Sequence, residues 1–304
     1  MPKKPDFDWW MERARLLKGA QDEVEKMFQV TGQAYQVGPW AIMKLALLGY
    51  YIQIYVRILG SSGTINYVDL FAGPGINEIK GTSQRIMGSA VLARKAPEKN
   101  RFTNVVLCEL NSDYANSLRT LLPDAKVINE DINKEGLTEL IDFLGSNRGH
   151  SLVFADPEGL ELHYETLAKI FQVTYCDVLI NYQPSSVNRV LGQVAQTPRM
   201  EESLTDFFGT PDWKDFGGGD RLLELYCSQI KKFREVVVPV RVQGTRLFHY
   251  YIILATRKVV QENRWVTSFQ KARERVERVD ANTARNFIEI ITGNQAFFDV
   301  GESS

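Results

Sequence analysis

Residues 65–75, Ile-Asn-Tyr-Val-Asp-Leu-Phe-Ala-Gly-Pro-Gly, decide how this chain folds. A β-rich run reaches Asp69 and breaks into a tight turn at Gly73-Pro74-Gly75. Glycines at the carboxyl end of a strand let backbone N–H groups approach a ligand where a Cβ would collide. In an open α/β sheet that edge is where ligands bind. Asp69 precedes the glycines, so it is placed to hydrogen-bond whatever the loop cradles.

Working outward, strand patterns at 65–69, 104–109, 126–129, 151–155 and 177–182 alternate with helical patterns at 89–96, 112–122, 134–146 and 164–172. Ser89 and Ser112 are placed to act as N-caps. Such alternation predicts a parallel sheet covered on both faces. After Tyr182 the pattern changes. Helical pieces near Val187–Val194 and Glu201–Phe208 fall in an insertion, 184–219, whose Gly217-Gly218-Gly219 could hinge a lid. A helix at 220–233 follows, then β-rich runs at 235–242 and 247–255 that meet through Gly244 as a hairpin. Upstream, 8–30 reads as one amphipathic helix and 31–38 as a glycine-containing break. Pro39 opens a second helix that runs to Leu59 and is stopped by Gly60–Gly63. The organisation expected is a helical cap (1–63), a Rossmann-like α/β domain (64–258) and a basic helical tail (259–304, helical over 266–291).

The bulk properties of the 304 residues are those of a globular protein, 44% hydrophobic and 24% charged. The net charge of -1 gives no global pull toward nucleic acid or an anionic membrane. Basic residues outnumber acidic ones between Arg221 and Arg285. They form either a solvated helical face with Glu274 and Glu277 interspersed, or a surface for nucleic acid or an acidic partner. Cys108, Cys176 and Cys227 lie far apart without a CxxC pair, which argues against a metal site and for buried thiols in a cytoplasmic protein. Residues 41–60 are apolar, but Lys44, Gln53 and Arg57 interrupt them, so a core helix is expected rather than a membrane span.

The loop itself selects a cofactor. A dinucleotide fingerprint needs a third small residue and an immediate helix. Here Gly75 is followed by Ile76-Asn77-Glu78, and the next helix start is Ser89. A GxxxxGK[ST] phosphate loop is absent. S-adenosylmethionine, which has no phosphate, needs a close backbone approach to its methionine end, an acid for the ribose diol and an acceptor for the adenine amine. Asp69, Phe71, Gly73 and Gly75 suit the first, Glu109 with Leu110 the second, and Asp131 with Ile132 the third. Asp156 ends the fourth strand in Asp156-Pro157-Glu158-Gly159. Four acids at four successive strand ends face one edge of the sheet. Each also has a local role available: Asp69 bracing its own turn, Glu109 and Asp131 capping the next helices, Asp156 opening a turn.

These motifs, with Gly88-Ser89 and Val178-Leu-Ile-Asn-Tyr…Asn188-Arg189, resemble the three-Cys-motif partner (TcmP) proteins, which belong with the class I S-adenosylmethionine-dependent methyltransferases. The resemblance spans about residues 38–258. It implies a seven-stranded sheet whose last two strands form an antiparallel hairpin, and a partner protein, radical-S-adenosylmethionine-like, that carries the three cysteines. By position it implies Asp69, Gly73 and Gly75 at the methionine end, Glu109 at the ribose, Asp131 at adenine and Asp156 facing the methyl acceptor. Amino-group methyltransferases of nucleic acids usually carry Asp/Asn-Pro-Pro-Tyr/Phe at that turn, where the aromatic stacks a flipped base. Glu158 and Gly159 stand there instead, leaving Tyr182 or Trp213 as alternative stacking groups. Asp156 is the expected proton acceptor and Glu158 the second choice; Asn181 and Arg189 lie on the acceptor side. Lys44 falls on the aromatic side of its helix with Trp40, Leu48, Tyr51 and Tyr55, where it could reach the cofactor carboxylate or a substrate phosphate, or simply snorkel. A nucleic-acid base methyltransferase of the adenine N6 type and a non-catalytic cofactor-binding partner stand as alternatives.

Overall fold

Five runs of largely unalternating apolar residues form the centre of the molecule, because strands covered on both faces need no polar side. The computed structural model describes residues 4–19, 22–59, 63–95, 101–243, 248–258, 264–279 and 289. The central strands are β2 (Ile65–Asp69), β5 (Asn104–Cys108), β6 (Lys126–Ile128), β7 (His150–Ala155) and β8 (Tyr175–Tyr182). They run parallel to one another, and a hairpin of β9 (Val236–Gln243) and β10 (His249–Thr256) completes the sheet. The order is β6-β5-β2-β7-β8-β10-β9, with β10 antiparallel to both neighbours. This is the Rossmann-like seven-stranded arrangement expected. The hairpin turn at 244–247, the stop at 60–62 and the tail beyond 279, apart from 289, lie outside the described residues.

Alternation along each strand divides the core. Tyr67, Leu107, Leu152, Phe154 and Leu179 pack beneath α1 (Lys4–Lys18), α3 (Ala41–Leu59), α4 (Ser89–Arg94) and α11 (Arg264–Glu277). Val68, Val106, Val153 and Val178 face α6 (Glu135–Ser146), α7 (Tyr164–Val173), α9 (Pro198–Phe208) and α10 (Asp220–Ile230). The remaining helices are α2 (Glu23–Thr31), α5 (Ser112–Leu121) and α8 (Pro184–Leu191). Helix α3 is long and apolar enough to cross a membrane, yet 67% of its apolar window is buried within the protein, so it serves as a core helix. Tyr51 on α3 donates a 2.8 Å hydrogen bond to buried Asp177 on β8, and Thr256 on β10 donates to the other oxygen. That clamp fixes the helix over the sheet and so fixes Lys44.

Three expectations need correction. Residues 8–30 are not one helix: α1 and α2 are separate, and Gly19 between them has φ +67°. Ser89 and Ser112 are first helical residues rather than caps. Gly88 and Asn111 hold the cap positions, and Asn111 Oδ1 accepts from the N–H groups of Asp113 and Tyr114. The break at 31–38 contains a strand, β1 (Tyr35–Val37), which pairs in parallel with β3 (Ile76–Ile79), itself antiparallel to β4 (Arg85–Met87). These strands are three or four residues long and rich in polar side chains, so they carry no periodic signal. Their pairing straps the N-terminal segment onto the chain just beyond Gly75.

Two glycines make the turn possible, Gly73 with φ +62° and Gly75 with φ +90°. Gly88 matters for a different reason. Its N–H donates to the Gly75 carbonyl at 2.8 Å, and a Cβ on it would lie 2.8 Å from that same oxygen. Gly88→Ala is therefore expected to destabilise the protein by about 1–3 kcal/mol, as overpacking against unyielding backbone does. Thermal or denaturant unfolding checks it; an unchanged midpoint would show that the Gly75–Gly88 contact is slack.

Candidate active site

The carboxyl ends of β2, β5, β6 and β7, the N-terminal strap and the start of α8 enclose a cavity of about 1150 Å³. Of the residues expected at the site, it brings together Lys44, Phe71, Gly73, Glu109, Leu110, Asp131, Ile132, Asp156, Glu158 and Arg189. It leaves out Asp69, Gly75, Asn181, Tyr182 and Trp213.

The loop after β2 is held by its neighbours' ends. Leu70 N–H donates to the Phe154 carbonyl, Phe71 N–H to Asp69, Ala72 N–H to the Cys108 carbonyl and Gly73 N–H to Glu109 Oε2 at 2.8 Å. Ser117 Oγ on α5 donates to the Pro74 carbonyl at 2.8 Å. This corrects the expectation of free amides: the amides from 70 to 73 are satisfied within the protein. The loop instead offers close van der Waals approach at Gly73, where a Cβ would find nothing within 4 Å.

Asp69 is a brace, not a wall of the cavity. It is fully buried, accepts from Tyr67 Oη at 3.1 Å and from Phe71 N–H at 3.3 Å, and is also bonded by Ser89. Burial raises its carboxyl to about 7, against the hydrogen bonds that lower it. Glu109 takes the role at the cavity surface. Its Oε1 accepts from Asn111 N–H and its Oε2 from Gly73 N–H, both at 2.8 Å, so each oxygen keeps a lone pair for a ligand hydroxyl. Burial raises this carboxyl too, against the amides of Asn111, Gly73 and Leu110. Leu110 beside it is 68% exposed, an apolar face presented to the cavity. Burial also acts on Asp131, but the Asn133 N–H and the Lys134 ammonium outweigh it and hold that carboxyl below the usual range.

At the end of β7, both oxygens of Asp156 are engaged. Lys44 of α3 forms an ion pair with Oδ2, and Asn181 Nδ2 of β8 donates to Oδ1 at 2.7 Å. Lys44 thus meets a carboxylate of its own chain, a partner invisible in the sequence because 112 residues separate them. Glu158 is also at the cavity, its carboxyl pushed up by burial and by neighbouring Glu161. Asn181 is buried and lies behind Asp156, which it meets through that bond. Tyr182 and Trp213 are core residues, which corrects their assignment as stacking platforms. Tyr182 packs among Phe207, Tyr226 and Tyr251, and Trp213 Nε1 donates to Thr205 Oγ1 at 3.1 Å. Besides the expected Phe71, the aromatics Tyr35, Trp40 and Tyr114 line the cavity, and the sequence did not mark them as site residues. Tyr35 meets Tyr114 edge-on with ring centroids 6.0 Å apart.

Several of the described basic residues after Arg221 are engaged within the protein. Arg234 is buried and donates to the carbonyls of Phe171 and Cys176, while Arg273 and Arg278 pair with Glu277 and Glu274 along α11. All three cysteines are buried and free.

No protein-family model matches the chain, and no curated protein matches its sequence. Among solved structures, the chain shows partial similarity to several. A Legionella pneumophila protein, LPL1258, is 12% identical over 76% of this chain and 91% of its own, with a TM-score of 0.47. The plantazolicin methyltransferase BpumL, solved with SAH and a pentazolic desmethylPZN analogue, is 10% identical over 84% of this chain and 100% of its own, with a TM-score of 0.43. Human methyltransferase-like protein 13, solved with SAH, is 13% identical over 77% and 90%, with a TM-score of 0.40.

A pH test isolates Asp69. Between the ordinary aspartate pKa near 4 and about 7, the folded state holds a proton that the unfolded state has lost. Stability from this group therefore falls as pH rises through that window and levels off above it. Asp177, raised to about 6, contributes in the same direction. Asp69→Asn is expected to flatten the fall in unfolding free energy between pH 4 and 7 relative to wild type; parallel curves would show that Asp69 stays ionised in the fold.

Proposed function

We propose that the protein is a class I S-adenosylmethionine-dependent methyltransferase. The observation that carries this reading is one cavity walled in chain order by the Gly73 turn, Glu109, Asp131 and Asp156, each from the end of a successive strand of the parallel sheet. Gly73 receives the methionine end without a side chain in the way. Glu109 accepts the ribose hydroxyls, and Asp131 accepts from the adenine amine between Leu110 and Ile132. The sulfonium donor is already activated, so the protein's contribution is positioning and exclusion of water. Bound there, S-adenosylmethionine would supply an activated methyl group for in-line displacement by an acceptor lone pair, with the thioether as leaving group. Asp156 orients the acceptor through a remaining lone pair, with Glu158 beside it to take the proton.

The acceptor belongs to the proposal as an open set: nucleic acid, protein or small molecule. So do a cytoplasmic setting and a three-Cys-motif partner protein, both of which rest on the sequence and its resemblance over residues 38–258. Two observations favour a second reading, a cofactor-binding partner without transfer activity. Asp156 has both oxygens engaged by Lys44 and Asn181, and Glu158-Gly159 offers no stacking aromatic.

Calorimetry with S-adenosylmethionine tests the binding half. Wild type is expected to bind one equivalent. Glu109→Ala and Asp131→Ala are each expected to weaken binding roughly 10- to 100-fold, the ~1.5–3 kcal/mol of hydrogen bonds to a charged group. Absence of binding heat in the wild type would refute the reading. Tritiated-methyl transfer to DNA, RNA and protein pools tests the other half, and binding without transfer to any pool selects the partner reading.

A further inference from the structure

Asn133, which no motif singles out, joins the two halves of the cavity. It follows β6 in the loop that carries Asp131, and it lines the cavity. Its backbone N–H donates to Asp131 Oδ1 at 2.9 Å. Its side chain reaches across to the loop after β7. Nδ2 donates to the Glu161 carbonyl at 2.7 Å, and Oδ1 accepts from His163 N–H at 3.0 Å and from Thr166 Oγ1 at 2.8 Å. The carbonyl oxygen thus has both lone pairs filled by donors, and the amide faces a carbonyl, which leaves a single orientation for the group. Thr166 is buried at the first turn of α7, so the far end of the network is anchored in the core.

The loop on the far side, 156–163, carries Asp156, Glu158 and Glu161 at the acceptor end of the cavity. Asparagine is the residue type that can serve here: it must donate to one carbonyl while accepting from two donors. Aspartate would set an oxygen against the Glu161 carbonyl, and alanine would leave the His163 N–H and the Thr166 hydroxyl without their acceptor.

We propose that Asn133 is a positioning residue that couples cofactor binding at Asp131 to the order of the acceptor loop 157–163. The proposal rests on the cavity's reading as an S-adenosylmethionine site. Ligand held at Asp131 restrains the Asn133 backbone, and the Asn133 side chain passes that restraint to Gly159–His163. By reciprocity, an acceptor that orders this loop tightens the cofactor.

Hydrogen exchange read by mass spectrometry, with and without S-adenosylmethionine, tests the coupling without requiring a known acceptor. In wild type, the cofactor is expected to slow exchange in the 157–163 segment several-fold, as well as at Gly73–Gly75. In Asn133→Ala, the slowing at 157–163 is expected to vanish while that at Gly73–Gly75 remains at saturating cofactor. Thr166→Val, which keeps the shape of α7 and removes only the hydroxyl, is expected to give partial loss. Slowing of 157–163 that persists undiminished in Asn133→Ala, or in Thr166→Val should the first variant fail to fold, overturns the proposal. Calorimetry on the same samples separates the two readings. Cofactor heat with unchanged coupling sinks only the role of Asn133, whereas no heat in the wild type sinks the cofactor reading on which it rests.

Discussion

The 2.8 Å hydrogen bond from Gly73 N–H to the Glu109 carboxylate is the constraint on which the cavity depends. It ties the turn after β2 to the end of β5, and with it the amides from Leu70 to Gly73 are all satisfied, three by neighbouring strand ends and Phe71 by Asp69 of β2 itself. A sharp turn with buried, unsatisfied amides would be costly. Satisfied in this way, the turn is fixed in shape before any ligand arrives. Glu109 is held by the same bond, so the group that would accept a ribose is oriented by the loop that would receive the methionine end. Preorganisation of this kind lowers the ordering cost of binding.

The acids at the strand ends divide their labour by burial. Asp69 lies under the loop and braces it, its carboxyl raised to about 7 by desolvation. Glu109 and Asp131 reach the cavity with lone pairs to offer. Asp156 is drawn into a pair with Lys44 of α3 and a bond from Asn181. That helix is in turn clamped to β8 through Tyr51 and Asp177. The N-terminal segment is therefore part of the site: β1 straps it to β3, and Tyr35, Trp40 and Lys44 form one wall.

Much of this was legible in the sequence because its signals are local. Apolar runs marked the five parallel strands, and the acids that ended four of them pointed to one edge. The glycines after Asp69 marked the turn, and the delayed helix at Ser89 separated this loop from a dinucleotide cradle. The rest depends on contacts distant in the chain. Strands β1, β3 and β4 are too short and too polar to show a period; they exist because they pair. Tyr182 and Trp213 looked available as aromatics beside the site, but the helices of the insertion enclose them in the core. Lys44 announced itself as a cation on an apolar face, yet its partner Asp156 emerged only from the packing of α3 over β7 and β8. Asn133 gave no signal, since an asparagine after an aspartate is an ordinary loop pair until Glu161, His163 and Thr166 are brought to it.

The proposed binding mode places S-adenosylmethionine in one direction in the pocket at the strand ends, and a crystal structure of the protein with S-adenosylhomocysteine reads that direction. The amino-acid portion is expected against Gly73, the ribose hydroxyls on the Glu109 carboxylate, adenine beside Asp131 and the sulfur directed toward Asp156. A ligand bound elsewhere, or lying in the cavity with its adenine toward Asp156, would contradict it.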